Sequence, residues 1–203
     1  MQDDKLVHLV DDDPSVRRSV SFMLKTSGYR VAAYESGDEL LNAGKDLIDG
    51  CILLDIRMAG RDGLETQEAL RKLGVGLPII IMTGHGDISL AVRALKAGAV
   101  DFIEKPFDTD VLLSALSDGF KRLSSKAATG ERKNDAKLRL QALTPREQDV
   151  LKGLAQGLPN KTIAYDLGIS PRTVEIHRAN LMTKLGVRSL SEALRIAFAA
   201  EGE

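Results

Sequence analysis

The sequence predicts an α/β domain built on a five-stranded parallel sheet, followed by a small all-α domain of four helices. Three observations carry this. Up to residue 123, short apolar runs alternate with longer stretches of helical spacing, the pattern of a parallel sheet with helices on both faces. From residue 141 onward only helical spacing remains, punctuated by N-cap and glycine signals. Between the two, SSKAATGERKNDA (124–136) holds no large apolar side chain and has nothing to bury. We divide the chain into 1–123, a linker over 124–140, and 141–203.

The strands are KLVHLV (5–10), YRVAAY (29–34), GCILLD (50–55), LPIIIMT (77–83) and AVDFIEK (99–105). ILL and IIIM do not alternate, as expected of strands covered on both faces. Helical spacing lies between them, for example Val16, Val20, Met23 and Leu24, or Leu90, Val92, Leu95 and Ala99. A further helix spans 109–123. The second domain should hold helices over about 145–156, 160–167, 171–185 and 189–199. Thr144-Pro145-Arg146-Glu147 is a capping box with proline at the first helical position, and Ser170-Pro171 repeats the device. Gly157, Gly168 and Gly186 sit at the stops.

Of 203 residues, 43% are hydrophobic and 28% charged, which excludes a wholly disordered chain. No apolar run reaches the roughly 18–20 residues of a membrane span. Asp3 and Asp4 stand where a signal peptide carries cations, so a cytoplasmic protein is expected. Cys51 is the single cysteine, which excludes an internal disulfide; it reads as a small core hydrophobe, with redox sensing as the alternative. The net charge of −1 conceals an asymmetry. Residues 1–123 carry 15 Lys+Arg against 20 Asp+Glu, and residues 137–203 carry 10 against 7. A cation suits the first part and an anionic polymer the second.

In a parallel sheet, functional groups gather beyond the carboxyl ends of the strands. Those ends carry Asp11, Asp12 and Asp13 after the first strand, Asp55 on the third, Thr83 on the fourth and Lys105-Pro106 after the fifth. Each alone is ordinary: three aspartates in a row commonly cap a helix. Together they place several carboxylates, a hydroxyl and an ammonium in one crevice. Such acids repel unless a cation joins them, and all-oxygen ligation suits Mg²⁺. Asp55 is the best-placed nucleophile or ligand, and Lys105 with Thr83 suits phosphoryl oxygens.

Val10-Asp11-Asp12-Asp13, Leu54-Asp55-Ile56-Arg57-Met58, Thr83-Gly84-His85-Gly86 and Lys105-Pro106-Phe107 resemble the receiver domain of two-component response regulators. The resemblance spans 5–123 and implies phosphoryl transfer from a sensor histidine kinase to Asp55. It implies Mg²⁺ held by Asp12, by Asp11 mainly through water, by Asp55 and by the main-chain carbonyl of Arg57. Lys105 would pair with the phosphoryl oxygens, Thr83 would swing its hydroxyl toward them, and Phe102 would change rotamer as an aromatic switch. The sequence departs from the family in reading Met58-Ala59-Gly60 where Met-Pro-Gly is usual. Loss of the proline frees φ at 59 and is expected to loosen the loop carrying Arg57. With Gly84 leaving room for water beside Thr83, moderate autodephosphorylation is expected. A phosphohydrolase with an Asp nucleophile, of the haloacid-dehalogenase type, needs a second acid two residues on, where this chain has Arg57. The domain therefore reads as an acceptor and switch, not an enzyme.

Residues 160–185 have helix–turn–helix spacing around Gly168-Ile169-Ser170. With Leu143-Thr144-Pro145-Arg146-Glu147, Asn160-Lys161-Thr162-Ile163-Ala164 and Ser170-Pro171-Arg172-Thr173-Val174-Glu175-Ile176-His177, the string resembles the LuxR-type DNA-binding domain. Joined to a receiver, it is similar to the NarL/FixJ class, of FixJ type, a reading that Gly84-His85-Gly86-Asp87 favours. At 100° per residue, Val174, Leu181 and Leu185 fall within about 20° of one line, the buried face. Arg172, Ile176, Ala179 and Thr183 lie opposite, flanked by Glu175 and Asn180. In the major groove, Glu175 suits cytosine, Asn180 adenine and Ile176 a thymine methyl. Lys161, Arg172, Thr173, His177 and Lys184 suit phosphates. Arg178 falls near the buried stripe, either pairing with Glu147 or reaching a phosphate; His177 is divided between structural and phosphate roles. His8 and His85 read as structural or surface residues.

Phosphorylation is expected to rearrange the surface over 87–123, pair two receivers and bring two recognition helices to half-sites of double-stranded promoter DNA about one duplex turn apart. Residues 189–199 add a second contact between DNA domains or simply roof the core. RNA polymerase is the expected downstream partner. The alternatives are a phosphorylation-independent DNA binder with the receiver as dimeriser, and a phosphate sink for a kinase.

Overall fold

The computed structural model describes residues 5–84, 88–124, 136 and 138–201, so His85, Gly86, Asp87 and most of the expected linker lie outside the described residues. These residues fall into two compact units, 5–84 with 97–124 and 88–96 with 136 and 138–201.

All five expected strands form: β1 (Leu6–Val10), β2 (Arg30–Tyr34) and β4 (Ile79–Thr83) start one or two residues later than expected, β3 (Gly50–Asp55) keeps its bounds, and β5 (Asp101–Glu104) is trimmed at both ends. They make one parallel sheet in the order β2-β1-β3-β4-β5. Helices α1 (Pro14–Thr26), α2 (Gly37–Ala43), α3 (Gly63–Lys72), α4 (Ile88–Lys96) and α5 (Thr109–Ser124) alternate with them. Val7, Leu9, Cys51, Leu53, Ile80 and Met82 share one sheet face. They pack with Val20 and Leu24 of α1 and Leu112, Ala115 and Leu116 of α5. Helix α2 packs on α3, and both bury a leucine completely, Leu40 and Leu70. β1, β3 and β4 are buried along their whole length, which is why their sequences do not alternate.

The strand order reverses direction between β1 and β3, and the crevice of a parallel α/β sheet opens at such a point. Val10 is level with Leu54, Asp55 with Met82, and Thr83 with Glu104. Register alone therefore brings the carboxyl ends of four strands to one height.

The C-terminal helices are α6 (Pro145–Ala155), α7 (Asn160–Leu167), α8 (Pro171–Leu185) and α9 (Leu190–Glu201). The Thr144–Glu147 capping box is present in both directions, and the Ser170 side chain accepts from Thr173 N. Gly168 and Gly186, both at φ 65°, close α7 and α8 in the left-handed conformation that glycine adopts without strain. Helix α8 packs on α6 and α7, with Val174, Leu181 and Leu185 buried as the angular reading expected. No helix among the described residues is long and apolar enough to cross a membrane.

Candidate functional site

Three carboxylates meet at the carboxyl end of the sheet. Asp11, Asp12 and Asp55 each present a ligand atom, and all three atoms lie within 4.8 Å of one another. Asp11 is fully buried and Asp55 is 6% exposed, whereas Asp12 faces solvent. Lys105 reaches between the two buried acids, its Nζ 2.7 Å from Asp11 Oδ2 and 2.9 Å from Asp55 Oδ1. One ammonium against three carboxylates leaves the cluster electronegative, which fits a divalent cation bound through oxygen.

The third aspartate of the run does other work. Asp13 caps α1, accepting from Ser15 N at 2.7 Å and Val16 N at 3.4 Å, and the Ser15 bond holds its carboxyl below the usual range. The run thus contains both the helix cap and the site. Asp11 is locked from three sides: Oδ1 accepts from Asp13 N at 2.9 Å, Oδ2 from Lys105, and its carbonyl from Arg17 Nη1 at 2.6 Å.

Burial raises the Asp55 pKa, the neighbouring Asp11 charge adds to the rise, and the Lys105 bond opposes both. Burial works against the Lys105 charge, but its bonds to Asp11 and Asp55 outweigh it and raise its pKa. The Lys105 ammonium is thus fixed beside a carboxylate that is poorly solvated.

Thr83 is buried, its hydroxyl donating to the Ile103 carbonyl at 3.4 Å, a long bond that is cheaply exchanged for a better acceptor. Phe102 is half-buried on β5, its N–H donated to Asp101 Oδ1 at 2.8 Å. Arg57 is exposed in the loop after β3. That loop is tied down at the next turn: Ala59 N donates to Asp12 Oδ2 at 2.8 Å, where loss of proline had suggested a loose segment.

Two other contacts escaped the sequence reading. A Cβ on Gly63 would run into the Asp55 carbonyl oxygen, so glycine there lets α3 start against the backbone at the end of β3. Arg17 holds the β1–α1 turn by the bond already described. Each spans a turn between a strand and the next helix, outside the period of either, so no periodic pattern announces it.

His8 and Cys51 take the structural roles. His8 Nε2 lies 2.9 Å from the Ile48 carbonyl and Nδ1 3.2 Å from the Tyr34 hydroxyl, and burial lowers its pKa. Burial pushes the Cys51 thiol up to about 12, leaving it a core hydrophobe without thiolate character.

In the C-terminal unit, α8 exposes Arg172, Glu175, Ile176, Ala179, Asn180 and Thr183, with Thr173 and His177 half-buried; Lys161 is exposed at the start of α7. Ile176 is 53% exposed, so its apolar side chain lies open on the same face as Arg172 and Ala179. The partner of Glu147 is Lys184, not Arg178. Lys184 Nζ sits 2.8 Å from Glu147 Oε2, whereas Arg178 Nη1 donates to Asn160 Oδ1 at 3.2 Å. Burial works against the Glu147 charge, but the Lys184 and Thr144 bonds prevail and lower its pKa. Lys184, expected on the phosphate side, thus anchors the end of α8 to the cap of α6. Arg178 instead ties α8 to the first residue of α7.

Comparison with known proteins assigns a family to each part of the chain. Residues 7–117 match the response regulator receiver domain, and residues 141–197 the LuxR family of bacterial regulatory proteins. The chain belongs to the response regulators. Over 196 residues it is 45% identical to the transcriptional regulatory protein FixJ of Rhizobium meliloti, covering 97% of this chain and 96% of that protein. It is 46% identical over 194 residues to FixJ of Azorhizobium caulinodans, covering 96% and 92%. The crystal structure of full-length FixJ from B. japonicum is similar at a TM-score of 0.59 and 41% identity, covering 98% of each chain. This response regulator is therefore a FixJ-like transcription regulator of a two-component system, with a receiver and a LuxR-type helix-turn-helix domain.

Proposed function

We propose that Asp55 accepts a phosphoryl group from the phosphohistidine of a sensor kinase. A carboxylate oxygen of Asp55 attacks phosphorus, the P–N bond breaks, and the kinase imidazole leaves with the bonding pair. The observation that carries this reading is Lys105 held at 2.7 and 2.9 Å from two buried acids, with a third acid beside them. Asp11, Asp12, Asp55 and the main-chain carbonyl of Arg57 hold Mg²⁺. When bound, Mg²⁺ supplies charge neutralisation between the carboxylates and the incoming phosphoryl oxygens. Lys105 then exchanges a carboxylate partner for a phosphoryl oxygen, Thr83 gives up its long bond to Ile103, and Phe102 follows by a change of rotamer. Position 57 is Arg, so no acid stands two residues on to drive turnover, and the domain stores the group instead of acting as an enzyme.

Residues 1–123 form the phosphoacceptor domain, 124–140 the linker and 141–203 the DNA-binding domain. Phosphorylation pairs two receivers into a homodimer. Paired α8 helices then read promoter DNA through Glu175, Ile176, Ala179 and Asn180, with Lys161, Arg172, Thr173 and His177 at phosphates. RNA polymerase is the downstream partner, and the cytoplasm, where kinase output and DNA meet, is the location.

The test uses beryllofluoride or acetyl phosphate with Mg²⁺ on wild type and Asp55→Ala, followed by light scattering and titration of a promoter-length duplex. Dimerisation and tighter DNA binding in wild type alone are expected. Equal DNA binding in both proteins, with or without reagent, overturns phosphorylation as the switch.

A further inference from the structure

The loop after β3 carries a backbone donor that proline could not supply. Ala59 N–H points at Asp12 Oδ2 at 2.8 Å, across 47 residues of chain. Proline has no N–H, so the usual residue at this place cannot make the bond. The three acids of the cluster are held unequally. Asp11 is bonded through both carboxylate oxygens, and Asp55 is buried and bonded to Lys105. Asp12 is exposed, and among the described residues the bond from Ala59 is what fixes its carboxylate. A free surface carboxylate samples several rotamers, and a cation that needs one of them must offset that entropy.

We propose that the Ala59 backbone N–H is a positioning donor of the cation site, holding the Asp12 carboxylate and the β3–α3 loop together before metal arrives. This rests on the Mg²⁺ reading above. A carboxylate offers about four lone-pair positions, so one N–H on Oδ2 leaves Asp12 able to ligate. The three ligand atoms lie within 4.8 Å of each other with the bond in place, which makes it compatible with the site. The bond also does what the proline ring does elsewhere, by another route. The ring restricts φ within the loop, whereas the N–H fastens the loop to Asp12. Loop position and ligand orientation are therefore coupled here: the main chain carrying Arg57 and the Asp12 carboxylate settle together.

The experiment measures Mg²⁺ affinity of the full, unphosphorylated chain by titration calorimetry. Three changes at one position separate donor from ring. An ester in place of the Ala59 amide, introduced with lactic acid by nonsense suppression, removes the N–H alone. Ala59→Pro removes the N–H and adds the ring, and Ala59→Ser keeps the N–H. The ester is expected to weaken Mg²⁺ binding by roughly fivefold, the scale of one partly exposed hydrogen bond, with Ala59→Ser within about twofold of wild type. Protection of the Ala59 amide from hydrogen exchange in wild type supports the same bond without reference to metal. An ester that binds Mg²⁺ as tightly as wild type overturns the proposal, and one that binds more tightly makes the N–H a competitor and also overturns it. If Ala59→Pro weakens binding and the ester does not, the ring is responsible and the proposal falls. Wild type that binds no Mg²⁺ at millimolar concentration removes the cation reading itself, a different failure.

Discussion

The acidic cluster and the recognition helix solve the placement of functional groups in opposite ways. Asp11 and Lys105 meet at 2.7 Å although 94 residues separate them, and most of the cluster is buried. On α8 the candidate contacts lie within one helix, exposed, at positions fixed by a 100° step. Burial couples the first set: each charge there alters its neighbours, as the opposing effects on Asp55 make plain. Exposure leaves the second set nearly independent. Substitutions in the cluster should therefore be strongly non-additive, and those on the exposed face of α8 that lie two turns or more apart close to additive.

The largest expected effect tests the coupled site. Asp55→Ala should reduce phosphoryl incorporation from acetyl phosphate to background, read by mass spectrometry of the intact protein. Incorporation that persists would move the acceptor elsewhere in the cluster. On the helix, Asn180→Ala and Ile176→Ala should each cost about 1–3 kcal/mol of DNA affinity and relax preference at one base position. Lys161→Ala should instead weaken binding to all sequences alike and flatten its salt dependence. If the double variant Arg172→Ala/Asn180→Ala, two turns apart, departs from the sum of its singles, the independence claimed for this face is wrong.

Lys184 is where the helix ceases to be independent. Its removal leaves a buried carboxylate without its cation, so Lys184→Ala should destabilise the C-terminal domain by about 1–3 kcal/mol in chemical denaturation. The sign with pH follows from the lowered Glu147 pKa. Stability from this group is present above the unfolded value of 4.5 and is lost as pH falls through the lower folded value. Lys184→Ala should therefore flatten the acid limb of the stability profile.

A smaller effect has the opposite sign. A raised Asp55 pKa means the folded state binds the proton more tightly than the unfolded one. The stability from this group is complete below the unfolded value of 3.8 and is lost as pH rises through the folded one, so at neutral pH the ionised group is a net cost. Asp55→Asn should raise stability at pH 7 by about 0.5–2 kcal/mol, as expected where function is held at the expense of stability. The gain should shrink toward pH 4, and Mg²⁺ should stabilise wild type more than the variant. Thermal melts across pH check both.

The two regions also differ in how much of them could be read beforehand. The C-terminal domain was legible in detail because its determinants are local. Thr144 and Glu147, three apart, form the capping box, and the Val174, Leu181 and Leu185 stripe is buried as its angle required. Reading failed there at Glu147, whose ion-pair partner lies 37 residues away on another helix, where angle placed Arg178 near the same stripe. In the receiver, strand-end logic brought Asp11, Asp12, Asp55 and Lys105 to one place, as the structure does, since parallel strands align their carboxyl ends. It could not find Gly63 against the Asp55 carbonyl, nor the Ala59 N–H on the Asp12 carboxylate, because a contact made by a backbone group in a loop leaves no periodic trace.

The amino-acid sequence by itself determined the strands and helices, their caps and stops, the division of charge and the set of side chains able to meet at the sheet edge. Those follow from propensity, periodicity and the fixed geometry of parallel strands, all of which act over a few residues. The tertiary structure decided that Lys105 bridges Asp11 and Asp55, which cation Glu147 keeps, and that the loop after Asp55 is tied to Asp12 despite its missing proline. The reason is physical: a charge or a backbone donor has several acceptable partners, and only packing, which sets distance and excludes water, selects among them.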